Sequence, residues 1–586
     1  MIFYGKAGGP VAVAAALAEI EGAVAEALGP GPAILRHGAW VSALVAAGGL
    51  AQGLADAGAE AGEAAALALA TALAAVMGRS WDSGLADLPA AVPPRVSAAL
   101  ADLAALAPVL PGRVAVRRAE GFAHYAVYPE GFWEAAAGLA APRPGRVLGI
   151  RSIGSTLSAC AAAALGTPPP VTVRPDGHPF DRTVAPGPAA AAALREGAGA
   201  VWAIVDEGPG LSGSSFAAAA AALGRAGVAE DRLVLVPSHG GEPGPMAGEA
   251  QRRLWSRARR AAATGEALWA RDAGPGRRLE DWFADLTGPL QAPPEDVAGG
   301  AWRHRHYAAE RDWPAVDRQN ERRKYVLASA AGPVLLRFTG LGAFGRAKAE
   351  RARTLAAAGF GLMPLAWRHG WLAEAWRGDL RPLAGSAIDR PALLARTAAY
   401  LAFRARAFPA EAGEGADPGT LLAMARANAA EALGTAAAEA VDGWAARLPA
   451  LAAAARPVAV DGRLALHEWL RDEAGRLVKT DALDHCCGHD LVGCQDIAWD
   501  VAGAAFEYGL DPDETEALRK AVSRGSGQPC DPGLLAFFAL AYAAFRVGAL
   551  TMARDRETGA EAGRLGAALS AAVSALRGAI GRPYPP

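Results

Sequence analysis

Cysteine is scarce in this chain, with five in 586 residues at positions 160, 486, 487, 494 and 530. So odd and uneven a set makes no disulfide framework and fits a reducing cytoplasm. Charge of one sign is missing as well. Fifty-eight Lys and Arg stand against 60 Asp and Glu, a net charge of −2, which lacks the basic signature of a nucleic-acid binder. Only two stretches are apolar enough to weigh as membrane spans, and both read better as buried helices. Residues 64–77 are short and mostly alanine, and 534–552 carry Arg546 in their interior, an expensive residue in hydrocarbon. The first ten residues, MIFYGKAGGP, show neither the charged segment nor the apolar core of a signal peptide. The expectation is a cytoplasmic protein with no membrane partner. What remains plentiful is large apolar side chains, with 15 Trp and 15 Phe, and length enough for three or four folding units.

The rest of the chain is organised around Val201 to Ser215, VWAIVDEGPGLSGSS. It reads as a buried strand, two acids, a loop of small residues, and then an alanine-rich helix from Phe216. A strand that enters a helix through Gly and Ser presents backbone N–H groups to an anion, and the helix dipole adds to the attraction. Asp206 and Glu207 suit the neighbouring hydroxyls of a sugar, so the stretch suits a ribose 5-phosphate. Two acids, three loop residues and Leu211-Ser212-Gly213-Ser214-Ser215 resemble the 5-phosphoribosyl-1-pyrophosphate loop of type I phosphoribosyltransferases. The resemblance implies that Asp206 and Glu207 bind the ribose diol. It implies that Gly208, Gly210, Ser212, Gly213, Ser214 and Ser215 hold the 5-phosphate. Leu211 departs from the family, which has Thr there.

In chain order, residues 1–112 are alanine-rich and helical in pattern, with breaks at 29–32 and 91–94. Only His37, Trp40, Arg79 and Trp81 stand out there, without ligand spacing. Residues 113–248 alternate strands and helices like a doubly wound parallel sheet. Val114 to Arg117 and Phe122 to Val127 read as paired strands, and a helix is expected over 132–139. Arg146 to Ile150 reads as a buried strand. Arg151, Ser152, Gly154, Ser155 and Thr156 follow it as a second strand–loop–helix anion site, which the resemblance assigns to the pyrophosphate. Arg174, His178 and Arg182 lie in a polar loop that the family uses as a mobile flap, and His239 follows the strand Leu233 to Pro237. Residues 249–301 read as a helical connector with a cluster of arginines.

Residues 302–586 read as a further domain. Lys324 to Ser329 and Val334 to Phe338 form a hairpin, and Arg346 to Ala357 a helix. Gly340, Gly342 and Gly345 match a dinucleotide fingerprint, but a hairpin strand precedes them and no acid-ended strand follows. The later order is a short apolar run ending in Asp461-Gly462-Arg463, then Glu468, a hairpin to Asp481, and Asp500 in Trp-Asp-Val-Ala. This resembles the large lobe of aminoglycoside and choline phosphotransferase-like kinases. The resemblance makes Asp481 the metal-binding Asp and Asp500 the structural one. Glu468 falls on the metal-binding Asn and Arg337 on the phosphate-binding Lys, with Glu350 placed to pair with a nucleotide-binding base. Arg463 stands where the family has its catalytic Asp, leaving Asp461 as the substitute carboxylate. His485, Cys486, Cys487, His489 and Cys494 are potential zinc ligands, at a spacing that matches no standard zinc template.

The sequence therefore predicts an α/β multidomain protein with three parts: a helical N-terminal region, a doubly wound phosphoribosyltransferase-like domain and a two-lobed kinase-like domain. The leading functional expectation is a Mg²⁺-assisted phosphoribosyltransferase acting on 5-phosphoribosyl 1-pyrophosphate or a related ribose phosphate. Its catalytic residues would be Arg151, Asp206 and Glu207. Two alternatives stand beside it. One is a non-catalytic sensor or scaffold for a nucleotide or sugar phosphate. The other is an ATP-dependent small-molecule phosphotransferase working through Asp461, Glu468 and Asp481.

Overall fold

The computed structural model describes residues 8–269, 273–411, 413–488 and 490–581. Four helices, Val13–Leu28, Ala33–Asp56, Glu60–Asp82 and Pro94–Leu106, open the chain and pack on one another. Alanine and glycine at their contact faces let the backbones approach closely. A Cβ added at Gly48 would lie 1.9 Å from Thr156 Oγ1, so this helix sits directly on the helix Ile153–Leu165. The strand Gly8–Ala12 pairs antiparallel with Arg113–Arg117. Phe122 to Val127 is not the second strand of a pair, as the sequence suggested. Glu120–His124 is a short helix whose residues Phe122, Ala123 and His124 are buried, and it serves as a bridge to later parts of the chain.

A five-stranded sheet follows, in the order Val171–Val173, Arg146–Ile150, Trp202–Val205, Leu233–Val236, Arg259–Arg260, all parallel. WAIV and LVLV are buried on both faces, as continuous apolar strands of a parallel sheet must be. Alternation divides them. Val147, Ala203, Val205, Val234 and Val236 join the core under the N-terminal helices. Leu148, Ile150, Ile204 and Leu235 pack instead with Phe216, Ala219 and Trp255, as period-2 side chains should. The arginine-rich stretch read as part of a helical connector supplies the edge strand Arg259–Arg260, after the helix Glu249–Arg257.

A second sheet is antiparallel, in the order Glu295–Asp296, Lys324–Leu327, Val334–Phe338, Trp371–Ala375, Pro364–Arg368. Leu336, Phe338, Trp371 and Ala373 belong to the same core as the N-terminal helices. The Gly340–Gly345 fingerprint serves this junction. Leu341 N donates to Phe122 O at 2.9 Å, and a Cβ at Gly340 would meet Ala123 O at 2.9 Å. The helix Gly342–Ala357 leads away from it. Beyond lies a helical half with its own core, built from Arg390–Ala407, Pro418–Leu433, Ala498–Tyr508, Pro512–Ser526, Pro532–Arg556 and Gly559–Ile580. A small sheet, Arg381–Pro382, Trp469–Arg471, Leu477–Lys479, packs Leu470 and Val478 with Leu380 and Leu362. Three helices are long and apolar enough to cross a membrane by length and composition, Ala33–Asp56, Glu60–Asp82 and Pro532–Arg556. Over half of each apolar window is buried inside the fold.

Candidate functional site

A cleft of about 920 Å³ lies between the antiparallel sheet and the helical half. Its chemistry comes from two segments that long-range contacts hold in place. Asp500, on the helix Ala498–Tyr508, accepts the backbone N–H of Asp461 at 2.8 Å and of Gly462 at 2.9 Å. Arg404, fully buried, donates to the carbonyls of Ala459 and Val460 on one segment and of Ala482 on the other. Gly462 has φ +80°, and a Cβ there would meet the His485 backbone carbonyl at 2.8 Å. The turn thus requires glycine.

Asp481 sits at the mouth of this frame with φ +54°. Lys324 and Arg337 face each other across two strands, and both reach it. Arg337 Nη1 donates to Asp481 Oδ1 at 3.2 Å, and Lys324 Nζ lies 3.9 Å from Oδ2. Arg463 Nη2 is 3.7 Å from Oδ2 and also pairs with Glu468. Arg463 Nε donates to Glu468 Oε1 at 2.6 Å, and Lys479 Nζ to Glu468 Oε2 at 2.8 Å. Burial pushes the Asp481 carboxyl up, but Lys324, His485, Arg337 and Arg463 outweigh it and hold the group well below the usual range. Burial also opposes ionisation of Lys479, yet Asp461 and Glu468 keep its pKa raised.

Of the residues proposed for this half from sequence, Asp481, Glu468, Arg337 and Arg463 converge on the cleft. Asp461 does not. It is fully buried, accepts a short hydrogen bond from Tyr400, and pairs with Lys479 at 3.3 Å. It braces the loop and cannot reach a substrate. Glu350 also differs from expectation, because it lies on the solvent face and pairs with Arg353 at 3.1 Å. One turn phase away, Lys348 points inward to Asp484 at 2.6 Å. His485 turns toward Asp481 and Asp461, at 3.8 and 4.0 Å, and not toward the thiols. Cys486 and Cys487 sulfurs are 3.7 Å apart, with Arg351 against Cys486. Cys494 is half-buried, and His489 lies outside the described residues. His467 stacks on Trp302 with centroids 5.7 Å apart, and burial lowers its pKa to about 4. Sequence reasoning missed Lys324, Arg404 and Lys479. The alternation of the strand Lys324–Leu327 against Arg337 was a usable signal for the first, whereas the other two act through long-range contacts.

The loop after Trp202–Val205 lies beside the same cleft, and Leu211 and Tyr125 line its wall. Its anion-binding groups have partners within the protein. Ser214 Oγ donates to Pro179 O at 2.7 Å, and Ser212 Oγ to the same carbonyl at 3.3 Å. Arg182 donates to Ser215 Oγ at 3.1 Å. The hairpin Pro175–His178 with Asp181–Val184, which contains His178, therefore lies over Ser212, Ser214 and Ser215. Gly208 is flanked by the Phe216 ring, while Gly210 and Gly213 adopt φ of +61° and +66°. Burial raises the Asp206 carboxyl to about 7. Glu207 packs beside Gly121, where a Cβ would meet its carboxylate at 2.9 Å.

The second anion loop is covered. Ser155 and Thr156 are buried, Thr156 against Gly48 of the helix Ala33–Asp56, and Gly154 lies against Asp206. Ser152 is strained at φ +115°. Arg151 and Arg174, read as pyrophosphate ligands, both bind Asp56 of that helix. The cause is the N-terminal helical region, whose docking surface could not be located from sequence. His239 is exposed, and its Nδ1 accepts Gly241 N–H.

Neither a protein-family model nor a curated protein matches this chain. Solved structures do align with about half of it. The choline kinase LicA from Streptococcus pneumoniae is 14% identical, with a TM-score of 0.32 over 50% of this chain and 98% of that one. The spectinomycin phosphotransferase APH(9)-Ia, solved with ADP and spectinomycin, is 10% identical at TM-score 0.32, covering 51% and 97%. A choline/ethanolamine kinase family protein from Mesorhizobium loti is 17% identical at TM-score 0.28, covering 43% and 89%. Likeness this loose transfers no residue role. The roles proposed below rest on the geometry of this chain.

Proposed function

We propose that the cleft binds a nucleoside triphosphate and that the protein is an ATP-dependent phosphotransferase acting on a small hydroxylated molecule. The observation that carries this reading is the convergence of Lys324, Arg337 and Arg463 on the single carboxylate of Asp481 at the cleft mouth. Each cation also has a second acid, Glu321 for Lys324, Glu374 for Arg337 and Glu468 for Arg463, so the cleft mouth carries an ionic network whose cations a Mg²⁺-bound polyphosphate would engage by exchanging with these acids. Arg463, about one-third exposed, would exchange its contacts with Glu468 and Asp481 for a phosphate.

Asp481 and Glu468 are the carboxylates that would hold Mg²⁺, since hard oxygen donors suit that ion; Glu468, buried and paired with Arg463 and Lys479, would have to exchange Arg463 for it. When bound, it would neutralise charge on the β- and γ-phosphates. In the transfer, the acceptor hydroxyl oxygen forms a bond to the γ-phosphorus, and the bond from phosphorus to the bridging oxygen breaks. The electron pair leaves on the nucleoside diphosphate. The acceptor's proton passes to a base, and His485 is the candidate, a cleft-lining imidazole between Asp481 and Asp461. Lys324 and Arg337 steady the developing charge.

Phosphoribosyl transfer, the leading expectation from sequence, has less support. Pro179 O occupies the serine hydroxyls of one loop, and Asp56 takes both arginines assigned to the pyrophosphate. Binding without transfer is favoured by one observation, the burial of Asp461 against Tyr400 and Lys479, which keeps that carboxylate from an acceptor. Release of ADP from Mg·ATP in the presence of a panel of amino alcohols and aminoglycosides separates the readings. A phosphotransferase releases ADP in proportion to acceptor and loses that activity in Asp481→Asn. Tight ATP binding with no ADP release from any acceptor would leave only the binding reading.

A further inference from the structure

His37, Glu130 and His369 meet in the core where the N-terminal helices, the helix Pro129–Ala137 and the antiparallel sheet join. Their exposures are 0%, 0% and 3%. His37 Nε2 lies 2.8 Å and His369 Nε2 2.9 Å from Glu130 Oε1. None of the three lines the cleft, and the inference is independent of the phosphotransferase reading.

Three features set it apart from an ordinary buried hydrogen-bond network. First, among the described residues the ion-pair partners of this fully buried carboxylate are the two histidines, with no lysine or arginine. Trp81, Trp282 and Tyr128 surround the imidazoles. A carboxylate in such surroundings must be protonated, paired with an imidazolium or bound to a metal, because an isolated buried charge is too costly. Second, the donor atoms are incompletely used. Glu130 Oε2 has no hydrogen-bond partner, and His369 Nε2, despite its distance, is not aligned for a hydrogen bond. Third, His369 stands at φ +44° followed by Gly370 at +91°, in the tight turn between Pro364–Arg368 and Trp371–Ala375. Asn or Gly is the usual residue in such a left-handed turn position, so histidine is held there at a cost for its ring.

We infer that His37 Nε2, His369 Nε2 and the two oxygens of Glu130 bind a divalent transition-metal ion of the zinc class. Two imidazoles and a carboxylate are the donor set such ions take. Ser80 Oγ, 3.0 Å from His37 Nδ1, supplies the outer-shell contact that fixes the ring and leaves Nε2 for the metal. Closed to solvent and carrying no free position, the site is structural. It ties together three segments that are far apart in sequence, and its ion enters during folding.

The test is metal analysis of the full-length chain, expressed without a metal-affinity tag and exchanged into metal-free buffer. We expect one equivalent of zinc-class ion per chain. That content should be lost in folded Glu130→Gln and retained in Asp481→Asn, whose substitution lies in the cleft. Cobalt supplied during refolding of the chelated wild type should give visible d–d absorption at one equivalent. The cobalt measurement needs no variant, so the inference stays testable even if Glu130→Gln does not fold. A folded wild-type chain with no bound ion and no cobalt band would overturn it and leave a metal-free hydrogen-bonded cluster. So would a metal content that disappears in Asp481→Asn and persists in Glu130→Gln.

Discussion

Replacing Asp500 by asparagine removes one charge and one acceptor while keeping the shape of the side chain. Asp500 is 1% exposed, and its two oxygens take the N–H groups of Asp461 and Gly462 at 2.8 and 2.9 Å. Asparagine retains one oxygen and turns the other position into an NH₂ that faces an N–H. The loss is one charge-assisted hydrogen bond, worth about 1.5–3 kcal/mol. Part of it is returned, because burial disfavours the Asp500 carboxylate and the neighbouring Asp461 anion repels it. The net cost is about 1–2 kcal/mol, and at about 2–4 °C per kcal/mol for a domain of this size the melting temperature falls by about 2–8 °C. The effect has a pH signature. Burial first, and Asp461 second, raise the Asp500 pKa to about 6. A raised folded-state pKa contributes stability that is present at low pH and lost as pH rises through about 6. The substituted amide carries no proton to lose, so the gap between the two proteins should change across pH 4 to 7. Scanning fluorimetry of both proteins at half-unit pH steps reads this directly. Equal melting temperatures at pH 7.5, or a gap that is constant from pH 4 to 7, would refute the clamp.

Other outcomes follow from the same contacts. Gly48→Ala puts a Cβ 1.9 Å from Thr156 Oγ1 and 2.9 Å from its Cα. Overpacking costs about 1–3 kcal/mol and should outweigh the roughly 1 kcal/mol gained in helix propensity, so a raised melting temperature would contradict the docking of these helices. Asp481 and Asp484 behave opposite to Asp500. Burial opposes their ionisation, but cations hold both pKa values down, so their stabilisation is present above about pH 4 and lost as pH falls below it. Acid titration followed by fluorescence should show Lys324→Met flattening the low-pH limb, and an unchanged limb would count against the pairing.

The local grammar of the chain was readable where short-range rules dominate. Four-residue apolar runs such as WAIV and LVLV announced buried parallel strands, and the small-residue loop announced a helix start. Asp481 and Asp500 were singled out by resemblance to the phosphotransferase large lobe, and the structure places the first in the cleft lining and the second under its loop. What the sequence could not show was docking. Asp56 lies more than 90 residues before Arg151 and Arg174, so nothing local indicated that it would bind both. The burial of Asp461 depends on Tyr400 and Lys479 in the same way. Glu350 was misplaced by helix phase, since Lys348, Ala352 and Leu355 define the inward stripe. His37 gave no ligand spacing, because its partners Glu130 and His369 are 93 and 332 positions away.

The central claim is that the cleft around Asp481 is a nucleotide site. Isothermal titration of the full-length protein with a non-hydrolysable ATP analogue and Mg²⁺ tests it most directly, alongside Arg337→Gln and Asp206→Ala. One site per chain is expected, weakened at least tenfold, or about 1.4 kcal/mol, in Arg337→Gln and unchanged in Asp206→Ala. Absence of binding, or binding that Asp206→Ala abolishes and Arg337→Gln leaves intact, would contradict the account and return the site to the Gly210–Ser215 loop.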